Sequence, residues 1–87
     1  MNYILCNIFM FDLHQRIIYV DEKGQIHDAA IANLDNLSEM ITDACNKYNV
    51  NNVHLFGHEE YANSVADEIR HYGMTKYSNN YINVEVN

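Results

Sequence analysis

Four side chains that can bind a divalent metal ion stand at two points of this sequence. Asp12 and His14 follow the first apolar run, while His58 and Glu59 follow a short apolar segment that ends in glycine. Imidazole nitrogens and carboxylate oxygens are common ligands of divalent metals. The four side chains are a candidate metal site if the fold brings the two points together. Their spacing matches no established metal motif, and a solvated polar edge is the alternative interpretation.

Patterns typical of nucleophilic catalysis are absent. Ser38, Ser64 and Ser78 lack the flanking glycines of a nucleophile elbow. Neither Cys6 nor Cys45 has a base beside it, and both fall on apolar patterns that indicate reduced core thiols. The sequence therefore favours a non-enzymatic function, and no cofactor is predicted beyond a possible divalent metal.

The charge of the chain limits the kinds of partner that it is expected to bind. Its 87 residues carry 12 acidic and 5 basic side chains, for a net charge of −7, and the length predicts one domain over residues 1–87. The Lys and Arg residues are scattered, whereas a surface that tracks phosphates needs clustered cations. We therefore expect no direct nucleic-acid binding, and the acidic surface suits solubility or a basic partner.

Membrane and secretion signals are missing. No uninterrupted apolar run is longer than that of residues 8–11, which is far shorter than a membrane span. No basic residue precedes Arg16, so a signal peptide would lack its charged start. We expect a cytoplasmic protein. Its many asparagines, tyrosines and isoleucines are typical of AT-rich genomes, such as those of low-GC bacteria and their phages.

The first half of the chain predicts an antiparallel meander. Residues 3–11 are almost wholly apolar, which is typical of a central strand covered on both faces. Residues 16–20 and 25–32 predict two further strands, joined by a turn that contains Gly24.

The second half predicts alternating helices and strands. Apolar residues at spacings of three and four predict helices over residues 35–48 and 59–72. Asn33 or Asp35 is suited to cap the first helix, and Gly73 to end the second in a left-handed conformation. Residues 53–56 predict the fourth strand. After a polar connector, residues 75–80, the last strand covers residues 81–86, with Ile82, Val84 and Val86 on one face.

This order is β-β-β-α-β-α-β. Right-handed crossovers place the first, fourth and fifth strands side by side and in parallel, giving a mixed five-stranded α/β sheet of order 3-2-1-4-5. Over nearly the whole chain, element order and length resemble the ribonuclease H-like fold. A ferredoxin-like sandwich is the alternative if residues 25–32 are not a strand.

The resemblance implies a site that these residues do not supply. Ribonuclease H-like nucleases hold two metal ions with carboxylates on the first strand, on the first helix, at the end of the fourth strand and beyond the fifth. Here the first strand carries Cys6 and Asn7, and the fourth ends in Gly57 and His58. Glu39 and Asp43 lie on the first helix, on the side that its apolar stripe assigns to solvent. Actin-like ATPases share this fold core, but their glycine-rich phosphate loop is also missing after the first strand.

A recognition surface is the remaining candidate. Tyrosine and asparagine concentrate near the C-terminus, a composition favoured at interfaces, and a strand at a sheet edge can pair with another chain. The predicted interface residues are Tyr72, Tyr77, Tyr81, Ile82 and Val84. Packing between the helices and the sheet is the alternative use of these tyrosines. We expect a small module that binds protein, self-associates, and serves as a phage or low-GC bacterial accessory or inhibitor protein. The alternative is a protein that binds a metal or a small ligand such as a nucleotide at the carboxyl edge of strands one and four.

Overall fold

The computed structural model describes all residues 1–87 and contains five strands and two helices. In chain order they are β1 (Tyr3–Ile8), β2 (His14–Val20), β3 (Ile26–Asn33), α1 (Leu37–Tyr48), β4 (Asn52–Gly57), α2 (Glu59–Tyr77) and β5 (Asn83–Val86). The strands form one sheet of order β3-β2-β1-β4-β5. β1 pairs with β2 and β2 with β3 in antiparallel fashion, whereas β1 with β4 and β4 with β5 are parallel. The predicted α/β class and sheet order are confirmed.

Both helices pack on one face of the sheet, which we call the covered face. On β1, Ile4, Cys6 and Ile8 are at most 1% exposed. Tyr19, which lies opposite Ile4, stacks on Tyr48 of α1 with ring centroids 4.3 Å apart. The core fills the space between this face and the two helices. Neither helix combines the length and the apolar character needed to cross a membrane.

The opposite face, which we call the open face, has no layer over it. Successive side chains of a strand point to opposite faces, and the strand pairing identifies those that share this one. They include Leu5, Asn7, Arg16, Ile18, Asp28, Ile31, His54, Phe56 and Glu85. Several of them are apolar and only half-buried or exposed. The sheet is therefore covered on one side only.

The first strand differs from its prediction. β1 ends at Ile8 rather than Phe11, and only its alternate residues are buried. It ends there because the backbone N–H and C=O of Phe9 bond to the side chain of Gln15 instead of a neighbouring strand. The prediction of a strand covered on both faces is wrong, since an apolar run does not report how many layers will cover it.

Helix α2 is longer than predicted. It continues to Tyr77, so Gly73 lies inside the helix and residues 75–77 are not part of the connector. The left-handed cap is Ser78, with φ of 53°. Gly73 is required for another reason: a Cβ there would lie 2.8 Å from the carbonyl oxygen of Asn79 and 2.9 Å from Cδ1 of Ile82. The chain after α2 thus packs directly against the helix backbone.

The remaining differences from prediction are small shifts at element ends. α1 begins at Leu37, and its N-cap residue, Asn36, makes no side-chain cap bond. Instead, Oδ1 of Asn33 accepts the backbone N–H of Asn36 at 3.2 Å. β5 begins two residues later than predicted, while the predicted inward direction of Ile82 and Val84 is confirmed by their burial.

Candidate functional site

A cavity of about 540 Å³ lies on the open face, near the carboxyl ends of β1 and β4. Its lining combines apolar and polar side chains from β1, β2, β4 and the β1–β2 connection: Leu5, Asn7, Phe9, Asp12, His14, Gln15, Arg16, Ile18 and Phe56. Its volume falls in the ~300–1,000 Å³ range of ligand pockets. A second depression adjoins it, and Phe9 and Asp12 line both. Together they form the main concave surface of the molecule.

The connection between β1 and β2, residues 9–13, exposes four large apolar side chains and is called the apolar loop below. Phe9 is 54% exposed, Met10 41%, Phe11 101% and Leu13 81%. Contiguous exposed apolar surface of this kind marks interaction sites in soluble proteins. The sequence prediction placed three of these residues inside a strand and so missed the loop.

Gln15 holds the apolar loop in place. Its side chain is 1% exposed. The Nε2 group donates to the carbonyl oxygens of Phe9, at 2.8 Å, and Asp12, at 3.1 Å, while Oε1 accepts the N–H of Phe9 at 2.8 Å. A buried amide whose groups are all bonded is a rigid support. The loop is therefore ordered before any partner arrives, which lowers the entropic cost of binding.

Two contacts join acidic and basic side chains across the strands of the open face. Arg16 bonds to Asp28 across the β2–β3 ladder, and Nδ1 of His54 lies 3.9 Å from Oε2 of Glu85. Each acid that projects from the strands of this face thus has a basic neighbour. The net charge of −7 resides mainly on the rest of the surface.

Three of the four predicted metal ligands line the cavity or the adjoining depression, but the four do not converge. Asp12 and His14 line the cavity, and His58 lines the adjoining depression together with Asp12. Glu59 is the first residue of α2. No three His, Cys, Asp or Glu side chains are grouped closely enough to hold a metal ion. Nδ1 of His58 instead accepts the backbone N–H of Tyr61 at 3.4 Å and caps α2, so the metal site stays a prediction.

Gly57, where β4 meets α2, has a structural role. Its φ is +118°, and a Cβ there would lie 2.1 Å from the carbonyl oxygen of Ile8, its partner on β1. Only glycine lets the two strand ends approach this closely. Glu59 and Glu60 follow at once and disfavour an anion at this helix start.

The predicted C-terminal interface is divided by the structure. Its five residues are Tyr72, Tyr77, Tyr81, Ile82 and Val84. Ile82 and Val84 are buried at 9% and 8% exposure, and Tyr81 is 76% exposed. The hydroxyl of Tyr77 donates to Oδ1 of Asp43 on α1, and Tyr72 is half-buried. Of the five, Tyr81 therefore presents the most side-chain surface to a partner.

Glu39 and Asp43, which the sequence assigned to the solvated side of α1, reach across to the end of α2. The ammonium of Lys76 lies 2.7 Å from Oε2 of Glu39 and 2.9 Å from Oδ1 of Asp43. Burial raises the pKa of the Asp43 carboxyl, but the hydrogen bonds from Tyr77 and Lys76 outweigh it, so its pKa lies below the usual range. This group joins the two helices.

The free edge of the sheet at β5 is partly blocked. β5 lies at the edge, as the sheet order requires. Nη2 of Arg70, on α2, donates to the carbonyl oxygen of Val84 at 3.4 Å. A bonded carbonyl is unavailable to an incoming strand. The edge is therefore a weaker candidate for docking than the open face.

The two cysteines offer no nucleophile. Both are free and buried. Burial raises the pKa of each thiol to about 12, so neither forms an appreciable thiolate near neutral pH.

Comparison with known proteins finds no similar sequence or structure. No protein-family model matches the sequence, and neither the curated proteins nor the solved structures give a match.

Proposed function

We propose that this chain is a non-enzymatic module that binds protein through its open face and apolar loop. The observation that carries the proposal is the apolar loop itself: the four large apolar side chains at positions 9, 10, 11 and 13 are exposed, yet the loop backbone is fixed by Gln15. Exposed apolar surface costs solubility unless a partner covers it. A fixed, apolar surface without clustered basic side chains favours a protein partner over a nucleic acid.

A photo-reactive amino acid in place of Phe11 tests this proposal directly. Phe11 is fully exposed, so the replacement leaves the fold intact. In cells of the encoding organism, irradiation is expected to join Phe11-substituted chains to protein. The matched control is the same replacement at Met74, an exposed apolar residue on α2. Absence of protein adducts at position 11, or equal yields at both positions, would contradict the proposal.

The cavity favours a second candidate, a metal ion or a small ligand such as a nucleotide bound at the carboxyl edge of β1 and β4. Leu5, Phe9, Ile18 and Phe56 supply its apolar lining. A ligand at ~100 times its Kd stabilises the folded state by ~2.7 kcal/mol. Thermal unfolding with apolar small molecules, nucleotides, Mn²⁺ and Zn²⁺ tests this candidate. No rise in Tm with any of them would reject it.

We further propose that the fold is a reduced ribonuclease H-like fold. The support is the combination of element order and sheet order. Cys6 and Asn7 stand on β1 where the nucleases carry a carboxylate, and this supports a version without nuclease activity. Incubation with RNA–DNA hybrid and Mg²⁺ or Mn²⁺ is expected to leave the substrate intact, and cleavage that co-purifies with the chain would overturn the expectation.

A further inference from the structure

We propose that the cavity on the open face binds a small organic cation, a molecule in which an apolar body carries one ammonium or guanidinium group. This inference rests on the small-ligand candidate above and narrows the ligand of that same cavity to cations. A site for such a molecule needs apolar surface, free hydrogen-bond acceptors and no competing positive charge. The residues that line the cavity supply all three.

The apolar surface of the cavity comes from three strands and the apolar loop. Leu5 of β1, Ile18 of β2 and Phe56 of β4 are half-buried, so each offers surface to a molecule that enters. Phe9, which is 54% exposed, adds a second aromatic ring. Aromatic rings pack against apolar groups and also attract cations through their faces. This lining therefore favours a positive charge carried on an apolar body over a hydrated inorganic ion.

Asp12 gives the cavity a negative charge that no side chain of the protein neutralises. Nε2 of Gln15 bonds to the backbone carbonyl oxygen of Asp12 at 3.1 Å, whereas the carboxylate makes no hydrogen bond and no ion pair. The side-chain amide of Asn7 is also free of partners, and both residues line the cavity. Carboxylate and amide oxygens accept hydrogen bonds from ammonium and guanidinium groups. Two acceptors are thus available to a cationic ligand.

The positive charge of the lining is already engaged. Arg16 bonds to Asp28 across the β2–β3 ladder, and His14, which also lines the cavity, can accept a hydrogen bond through one ring nitrogen when it is neutral. Glu59 and Glu60 add negative charge where α2 begins, and the whole chain carries −7. A field of this sign concentrates cations near the surface and repels anions such as phosphates.

A titration with three matched molecules tests the proposal. Phenylethylamine, phenylethanol and phenylpropionate share a phenyl ring and a short spacer but carry a positive charge, no charge and a negative charge. Amide chemical shifts of the isotope-labelled chain are followed at about pH 8, above the range in which histidine ordinarily gains its proton. We expect shifts centred on the residues that line the cavity. The Kd of the amine should be at least ~5-fold lower than that of the alcohol, because two unit charges ~4 Å apart attract one another even in water, and the carboxylate should bind most weakly.

Two variants separate the cavity from the charge of the whole chain. Asp12→Asn preserves the size of the side chain and the backbone carbonyl that Gln15 bonds. It should abolish the preference for the amine and leave the affinity for the alcohol unchanged. Glu22→Gln removes the same charge in the exposed β2–β3 turn and should keep the preference. The same loss of preference in both variants, or no loss in Asp12→Asn, would overturn the proposal.

The outcomes of the titration also distinguish the ligand class from the site. Equal affinities for the amine and the alcohol, or tighter binding of the carboxylate, would overturn the cationic class and leave the cavity standing as a small-ligand site. No shifts with any of the three molecules at millimolar concentration, or shifts only at residues away from the cavity, would overturn both.

Discussion

The covered and open faces are built from alternate residues of the same five strands, yet they present different chemistry. On the covered face, Ile4, Ile17, Val53 and Leu55 are fully buried beneath the helices. On the open face, Leu5, Ile18 and Phe56 are half-buried and line a cavity. The covered face provides the core, and the open face is apolar surface that folding leaves exposed. We infer that stability resides on one face and recognition on the other.

The largest effect on stability is expected at Gly57, where the ends of β1 and β4 meet. Gly57→Ala would place a Cβ against the carbonyl oxygen of Ile8 at a φ of +118°. We expect a loss of about 4 kcal/mol or more in urea unfolding, since backbone strain adds to a clash that no side chain can relieve. Gly24→Ala is the control: its φ is +79° and its Cβ would meet nothing within 4 Å, so it should cost about 1–2 kcal/mol. Similar losses at both glycines would contradict this.

Two leucines on adjacent strands compare the faces directly. Leu55 is 0% exposed on the covered face, and Leu55→Ala should lower the free energy of unfolding by ~3 kcal/mol. Leu5 is half-buried on the open face, and Leu5→Ala should cost about 1 kcal/mol in the monomer, because solvent already reaches its side chain. Urea unfolding at low protein concentration measures both values. Equal losses in the free energy of unfolding would contradict the assignment of stability to the covered face.

Gln15 is buried, and its side chain holds the apolar loop. Replacing it should therefore affect both the stability of the fold and the order of the loop. Gln15→Leu leaves the N–H and C=O of Phe9 without their side-chain partner, and we expect a loss of ~2 kcal/mol. Amide exchange at residues 9–13 should accelerate as well. Gln25→Leu, in the exposed β2–β3 turn, is the control and should change neither. Unchanged exchange in Gln15→Leu would show that the loop is ordered by other contacts.

The smallest effect is expected for the contact between α1 and α2, whose contribution to the free energy of unfolding depends on pH. The pKa of Asp43 is lowered in the folded state, so its stabilising contribution is present above its unfolded pKa, about 3.9, and is lost as pH falls through the folded value. Asp43→Asn should cost under ~1 kcal/mol at pH 7, since the ion pair is partly exposed. The difference from wild type should shrink below pH 4. Asp67→Asn, whose carboxylate pairs with Arg70 within α2, is the control, and a constant difference across pH would contradict the assignment.

The sheet order was predictable because the patterns that specify it are local. The apolar stripe of α1 and the β-branched strands define the elements, and right-handed crossovers then order the strands. The same rule places both helices on one side, because both crossovers run in the same direction across the sheet. Two helices, each about 10 Å wide, cover most of one face of five strands spaced ~4.8 Å apart. The uncovered face follows from this geometry, although the apolar run of residues 3–11 suggested a strand covered on both sides.

The candidate site was harder to predict because it depends on one specific side-chain contact between residues six apart in the sequence. Gln15 bonds to Phe9 across a turn, and nothing in the apolar pattern of residues 8–11 distinguishes an exposed loop from a continuing strand. The predicted metal residues Asp12, His14 and His58 do lie beside the cavity. Their polarity indicated the correct edge of the sheet. The apolar side chains that line the cavity beside them were assigned to the core.

Methyl NMR over a range of protein concentrations tests most directly whether the self-association expected from the sequence takes place through the open face. With isotope-labelled Ile and Leu methyl groups, the open face reports through Leu5 and Ile18, and the core between the covered face and the helices reports through Leu55 and Ile41. We predict that the signals of Leu5 and Ile18 shift as the concentration rises from micromolar to millimolar, while those of Leu55 and Ile41 stay fixed. Shifts confined to the buried methyls, or no shifts at any concentration, would contradict this account.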